Sequence, residues 1–130
     1  MPKVRLALIS DNFQFEKSGE YSIIGIFERR FAPGFPAKGD QFYVIVFWEG
    51  LVGEMFDLSI AIVNRDGQIL SAKPPLRVEM EQPKHMTITK FVDVVFDIAG
   101  NYTINIYADS VLIEQVPFII EQLNLHDKGL

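Results

Sequence analysis

Across residues 55–63 apolar and polar positions alternate, with Phe56, Leu58, Ile60 and Ile62 on one side and Asp57 and Ser59 on the other. A period of two marks a strand with one buried face. The chain then reads Asn64-Arg65-Asp66-Gly67. Asp-Gly accommodates the positive φ of a tight hairpin turn, so residues 68–71 return along the same strand. The same logic predicts a strand over residues 4–9, continued by 13–15 after a break near Ser10-Asp11-Asn12. Another follows over 21–28, beyond a turn at 17–20. Residues 41–49 are almost wholly apolar and belong at the centre of a sheet, with neither face wet. Residues 31–40 hold two prolines and two glycines, which excludes regular structure there.

Pro74-Pro75 forces a corner before a short strand over 76–80. From Met86 to Ile98 six of the seven even positions are apolar, which predicts one long strand. A helix burying Ile88, Phe91, Val92 and Val95 is the alternative. A final hairpin pairs residues 102–108 with 111–120 across Asp109-Ser110. Just ahead of it stands Asp97-Ile98-Ala99-Gly100-Asn101-Tyr102. An Asp-x-x-Gly-x-Tyr corner leading into a period-two strand is a mark of antiparallel β-sandwiches, where the tyrosine hydroxyl bonds back to upstream backbone.

Eight or nine strands with turns every eight to twelve residues predict an all-β fold: a single antiparallel immunoglobulin-like β-sandwich of about 8 strands. The domain covers 1–122, and 123–130 form a polar C-terminal tail. The expected core is Leu6, Leu8, Ile24, Ile26, Val44, Val46, Trp48, Leu58, Ile60, Val94, Phe96, Tyr102, Ile104, Ile106 and Phe118.

Composition narrows the function. Eleven phenylalanines in 130 residues supply large side chains to fill the space between two sheets. A net charge of −5 argues against nucleic acid as a partner, because phosphate binding needs clustered lysine and arginine. The absence of cysteine removes disulfides, zinc thiolates and thiol nucleophiles and fits a reducing compartment. The first apolar run is short and interrupted by Arg5, and no stretch reaches the roughly eighteen residues of a membrane span. The expectation is a soluble, cytoplasmic protein with no membrane partner.

Four stretches together resemble a bacterial family of small uncharacterised proteins, a domain of unknown function. They are Asp11-Asn12 with its hairpin, Ile23-Ile24-Gly25-Ile26-Phe27, Phe31-Ala32-Pro33-Gly34-Phe35-Pro36-Ala37 and the Gly100-Asn101-Tyr102 corner. The resemblance spans most of the chain and implies an immunoglobulin-like sandwich in a stand-alone bacterial protein. It implies no activity. The chain departs from antibody-type domains in lacking paired cysteines, although Trp48 sits on an early central strand as their core tryptophan does.

No residue constellation carries chemistry. His85 lies in a Pro-Lys-His turn and His126 in the tail, neither with a ligand-type neighbour at metal spacing. Gly-x-Ser-x-Gly, the P-loop and Gly-x-Gly-x-x-Gly are all missing, so no cofactor is expected. Asp93, Asp97 and Asp109 flank one end of the expected sandwich and raise the question of calcium, although their spacing matches no calcium motif. The 31–39 loop is the best functional candidate. Phe31 and Phe35, interleaved with Pro33 and Pro36 and bordered by Arg29, Arg30 and Lys38, form a stiff apolar surface of the kind that binds a protein partner. Alternatively, both phenylalanines fold back as plugs of the core. Open sheet edges offer a second route, to a homo-oligomer or a captured peptide. The chain therefore reads as a non-enzymatic interaction module. The rival reading is a small-ligand or carbohydrate binder that stacks its ligand on Trp48 or Tyr43.

Overall fold

The structure, a computed structural model, describes residues 1–123. Of the expected tail only Leu123 falls among them; the rest of it, His126 included, lies outside the described residues. The described chain is all β, in twelve strands: β1 (Lys3–Phe15), β2 (Tyr21–Ile26), β3 (Arg29–Ala32), β4 (Ala37–Lys38), β5 (Phe42–Glu49), β6 (Met55–Asn64), β7 (Ile69–Ala72), β8 (Leu76–Glu79), β9 (Lys84–Phe91), β10 (Val95–Phe96), β11 (Gly100–Ala108) and β12 (Val111–Gln122). Four form a sheet in the order β2-β1-β5-β9. Six form a second sheet, β3-β12-β11-β6-β7 with β8 also paired to β6. The third is the small β10-β4 ribbon.

One core joins the two large sheets. Val44, Val46 and Trp48 of β5 and Phe91 of β9 meet Phe56, Ile60 and Ile62 of β6 and Ile104, Ile106 and Phe118 of the β11–β12 pair. The phenylalanine surplus goes largely here: Phe42 stacks on Phe91 with centroids 5.5 Å apart, and Phe96 meets Tyr102 edge-on at 4.8 Å. The inner face of β5 is fully buried. On its outer face only Ile45, between Leu8 and Ile88 of the neighbouring strands, is buried, and Tyr43 and Phe47 are half-buried, so the expectation that neither face is wet holds for one face.

Turn chemistry explains the hairpins. Gly67 adopts φ +81°, and the Asn64 carboxamide accepts the amides of Asp66 at 3.0 Å and Gln68 at 2.9 Å, closing the β6–β7 turn. Asp109 and Ser110 both take positive φ, 49° and 66°, as a two-residue β11–β12 connection requires. The tyrosine corner forms as expected, with the Tyr102 hydroxyl donating to the Ile98 carbonyl.

Several expectations need correction. There are twelve strands rather than about eight, and the pairing is mixed, because β3 runs parallel to β12. The proline- and glycine-rich segment still contributes β3 and β4, which are short enough to fit between its breakers. Residues 86–98 do not form one strand. The left-handed Asp93 (φ 57°) separates β9 from β10, and the buried phase switches from odd positions (Thr87, Phe91) to even ones (Val94, Phe96). Leu6, Ile24 and Ile26 are 53%, 45% and 60% exposed instead of in the core, and Leu8 is only half-buried. Ile9 and Ala7 turn inward, opposite Val44 and Val46, which leaves Leu6 and Leu8 on the outer face opposite Phe47 and Ile45. Both faces of β1 are apolar, so alternation could not say which one is buried.

Candidate functional site

Parts of five strands (β1, β3, β4, β10 and β12) and the bends of the 31–39 segment build a cleft of about 690 Å³. Its wall is apolar along Phe31, Pro33, Pro36, Phe96 and Ile120 and polar along Asp11, Arg30 and Asp40. The position follows from local chemistry. Pro33 and Pro36 cannot extend a ladder, so the chain leaves β3, turns, and re-pairs as β4 only at Ala37–Lys38, opposite Phe96 and Val95. Gly39 then donates its amide to the Val94 carbonyl at 3.1 Å, tying the cleft rim to the β9–β10 break.

The two phenylalanines part company. Phe35 packs against the core, and the Phe35–Pro36 bond is cis. Phe31 stays 48% exposed on the rim. Phe35 is thus a plug, whereas Phe31 lies on the surface.

All three bordering cations hold carboxylates. Arg29 pairs with Glu121 at 3.5 Å, Lys38 with Asp93 at 3.5 Å, and Arg30 with Asp11. Arg30 is the most constrained. It also donates to the Asp40 carbonyl at 3.3 Å, and its guanidinium carbon lies 4.1 Å from the Phe27 ring centroid. Asp11 can reach it because position 25 is glycine. With φ +70° there, an added Cβ would stand 2.5 Å from Asp11 Oδ2. Arg30 is therefore part of a rigid wall rather than a loose surface charge. Asp11, Asp40, Phe96 and Ile120 escaped sequence reasoning, since Asp11 lies nineteen positions from Arg30 and nothing local marks the pair.

Trp48 is fully buried, tilted against Phe56 at 4.7 Å, and its indole N–H donates to Thr87 Oγ1 at 2.8 Å. It cannot serve as a stacking platform for a ligand. Tyr43 is half-buried on the outer face of the four-stranded sheet and is not among the residues that line the cleft. The three aspartates of the calcium question do not share one end. Asp97 and Asp109 stand before and after the nine-residue β11, some 30 Å long at roughly 3.3 Å per residue. Asp93 pairs with Lys38, while Asp109 accepts the Asp57 amide at 2.9 Å. Among the described residues no three histidines, aspartates or glutamates stand together as a metal-binding group. No helix among them is long and apolar enough to cross a membrane.

The family model described as a family of unknown function (DUF6941) matches residues 5–121. The chain belongs to this family. Every residue lining the cleft falls within the DUF6941 match. No curated protein matches the sequence. Solved structures do: 38 chains match, among them the Pseudomonas fluorescens alkylpurine DNA glycosylase AlkC bound to DNA containing an abasic site analog. That match has a TM-score of 0.56 and 8% identity over 92% of this chain, and it spans only 30% of the glycosylase chain. At such identity the likeness is one of fold alone.

Proposed function

We propose that this DUF6941 chain is a non-enzymatic interaction module with an immunoglobulin-like sandwich architecture, acting in the bacterial cytoplasm through protein–protein contacts or self-association. The observation that carries the reading is the division of labour between Phe35, which packs against the core, and Phe31, which stays at the mouth of an apolar cleft. A large aromatic side chain half in water beside two prolines is a common anchor for a partner. The lack of cysteine supports a reducing compartment. The acidic balance keeps nucleic acid out of the reading, and nothing is carried over from the glycosylase beyond its fold.

A second reading keeps the same cleft for a small ligand, because about 690 Å³ lies within the usual range of small-molecule sites. A photo-crosslinking residue placed at Phe31, with Arg65 at the far hairpin as the control position, separates the two. Together with sedimentation across a concentration series, it is expected to yield discrete protein adducts, or a dimer, at position 31 alone. Equal labelling at both positions with no concentration-dependent sedimentation would end the protein-contact reading and leave the ligand reading standing.

A further inference from the structure

Strand β9 is the outer edge of the four-stranded sheet, paired only with β5 and in unbroken register from Lys84 opposite Glu49 to Phe91 opposite Phe42. The direction of its free groups follows from alternation. Phe27 donates to the Ile9 carbonyl, so Ile9 faces away from β5, and Leu8 and Ser10 bond Ile45 and Tyr43. The alternate residues Val44, Val46 and Trp48 then serve Thr89, Thr87 and His85. The amides and carbonyls of Met86, Ile88 and Lys90 point outward from the sheet edge.

At the far side of the same sheet the edge strand β2 is interrupted by the left-handed Gly25 (φ 70°), and β12 in the second sheet is closed to such pairing. On β12 the outward positions are odd, since the Ile119 amide donates to the Glu28 carbonyl. Pro117 there has no N–H, and the Gln115 amide is taken by Glu114 Oε1 at 3.0 Å. The free half of β1 has a register shift between Val4 and Leu6. Strand β9 has no proline and no bulge, and among the described residues no side chain caps its outward amides.

Charge says what would fit. Lys84 and Lys90 bracket the edge, and Lys73 lies behind it with its Nζ 5.2 Å from the Phe91 ring. None of the three forms an ion pair among the described residues, a state they share with Lys3, Arg5, Lys17 and Arg65 on other elements, and together they make this edge basic in a chain that carries −5. Between β9 and the second sheet runs a groove of about 290 Å³ lined by Leu58, Ile60, Pro74, Leu76 and the inward-facing Thr89. We propose that β9 receives an acidic, extended segment of another protein as a fifth strand, with its apolar side chains seated in this groove. A second copy of the chain fits poorly in any register, because β9 itself carries Lys84, His85 and Lys90 and no carboxylate to set against them.

The inference stands apart from the Phe31 cleft and is tested on the intact, ¹⁵N-labelled chain. The probes are a capped heptapeptide alternating threonine and valine with glutamate at both ends, and its lysine-ended counterpart. The glutamate peptide is expected to bind roughly tenfold tighter, to weaken with salt, and to slow hydrogen exchange at Met86, Ile88 and Lys90. In the surface variant Lys84→Glu/Lys90→Glu, with melting temperature checked, the preference should reverse. Equal affinity for both peptides, no saturable binding, or shifts confined to the cleft would overturn the proposal. The last outcome would at the same time support the cleft.

Discussion

The Tyr102 hydroxyl donates to the Ile98 carbonyl at 2.5 Å, fastening the start of β11 to the turn that delivers the chain from β10. Burial raises the tyrosine pKa and the nearby Asp97 carboxylate adds to this. Tyr102→Phe should keep the fold and lose about 1 kcal/mol or more, read as a lower midpoint in a urea melt. An unchanged midpoint would mean that the hydroxyl contributes nothing to the corner.

Thr87→Val is expected to cost about 1–3 kcal/mol, because it leaves the buried Trp48 N–H without its acceptor. The protein's single tryptophan makes the check direct. Wild-type emission should be blue-shifted and should move to the red only on unfolding.

The cleft aromatics should respond differently to the same change. Phe35→Ser should destabilise by roughly 2–4 kcal/mol, since it removes a ring packed against the core. Phe31→Ser should cost clearly less, because about half of that residue is already in water, 48% exposed. Melting curves for the pair decide it, and equal losses would contradict the separation of plug from rim.

Ser110→Gly should stabilise the protein by about 1 kcal/mol, because Ser110 holds φ 66° in the β11–β12 turn, a conformation that glycine adopts without strain. Asp109 is left in place, since its carboxylate caps the Asp57 amide. Thermal unfolding would show the gain as a higher midpoint.

Glu54 accepts the Leu51 amide at 2.7 Å and pairs with the Met1 amine at 3.2 Å, and both lower its pKa, the backbone bond more. A depressed carboxylate stabilises the fold above its unfolded pKa, and that contribution is lost as pH falls through the folded value. Glu54→Gln should therefore flatten the acid limb of a stability-against-pH curve. If the two proteins lose stability in parallel on acidification, Glu54 has no part in it.

Much of the fold was legible where one face is plainly polar. Asp57 and Ser59 fix the phase of β6, and Asp66-Gly67 fixes its turn. Strand β1 was not legible, because Leu6 and Leu8 are as apolar as Ile9 and only the pairing with β5 settles which side is covered. Nor was the switch of phase near Asp93, where a single left-handed residue resets an alternation that looks continuous on paper. The cleft could be found from its prolines and glycines. Its ion pairs could not, because Asp11 meets Arg30 only after the sheets assemble, and the β9 edge is visible only once the order of strands is known.

The parallel contact of β3 with β12 joins Arg29–Ala32 to residues 119–122. Partners some ninety positions apart mean that the cleft wall, which draws on both Phe31 and Ile120, has no lasting form while the chain is still emerging from the ribosome. Nascent chains shorter than about 120 residues would present β3 with its eventual neighbour unmade. Any partner that recognises the completed cleft thus samples only chains in which β12 has been made and laid beside β3.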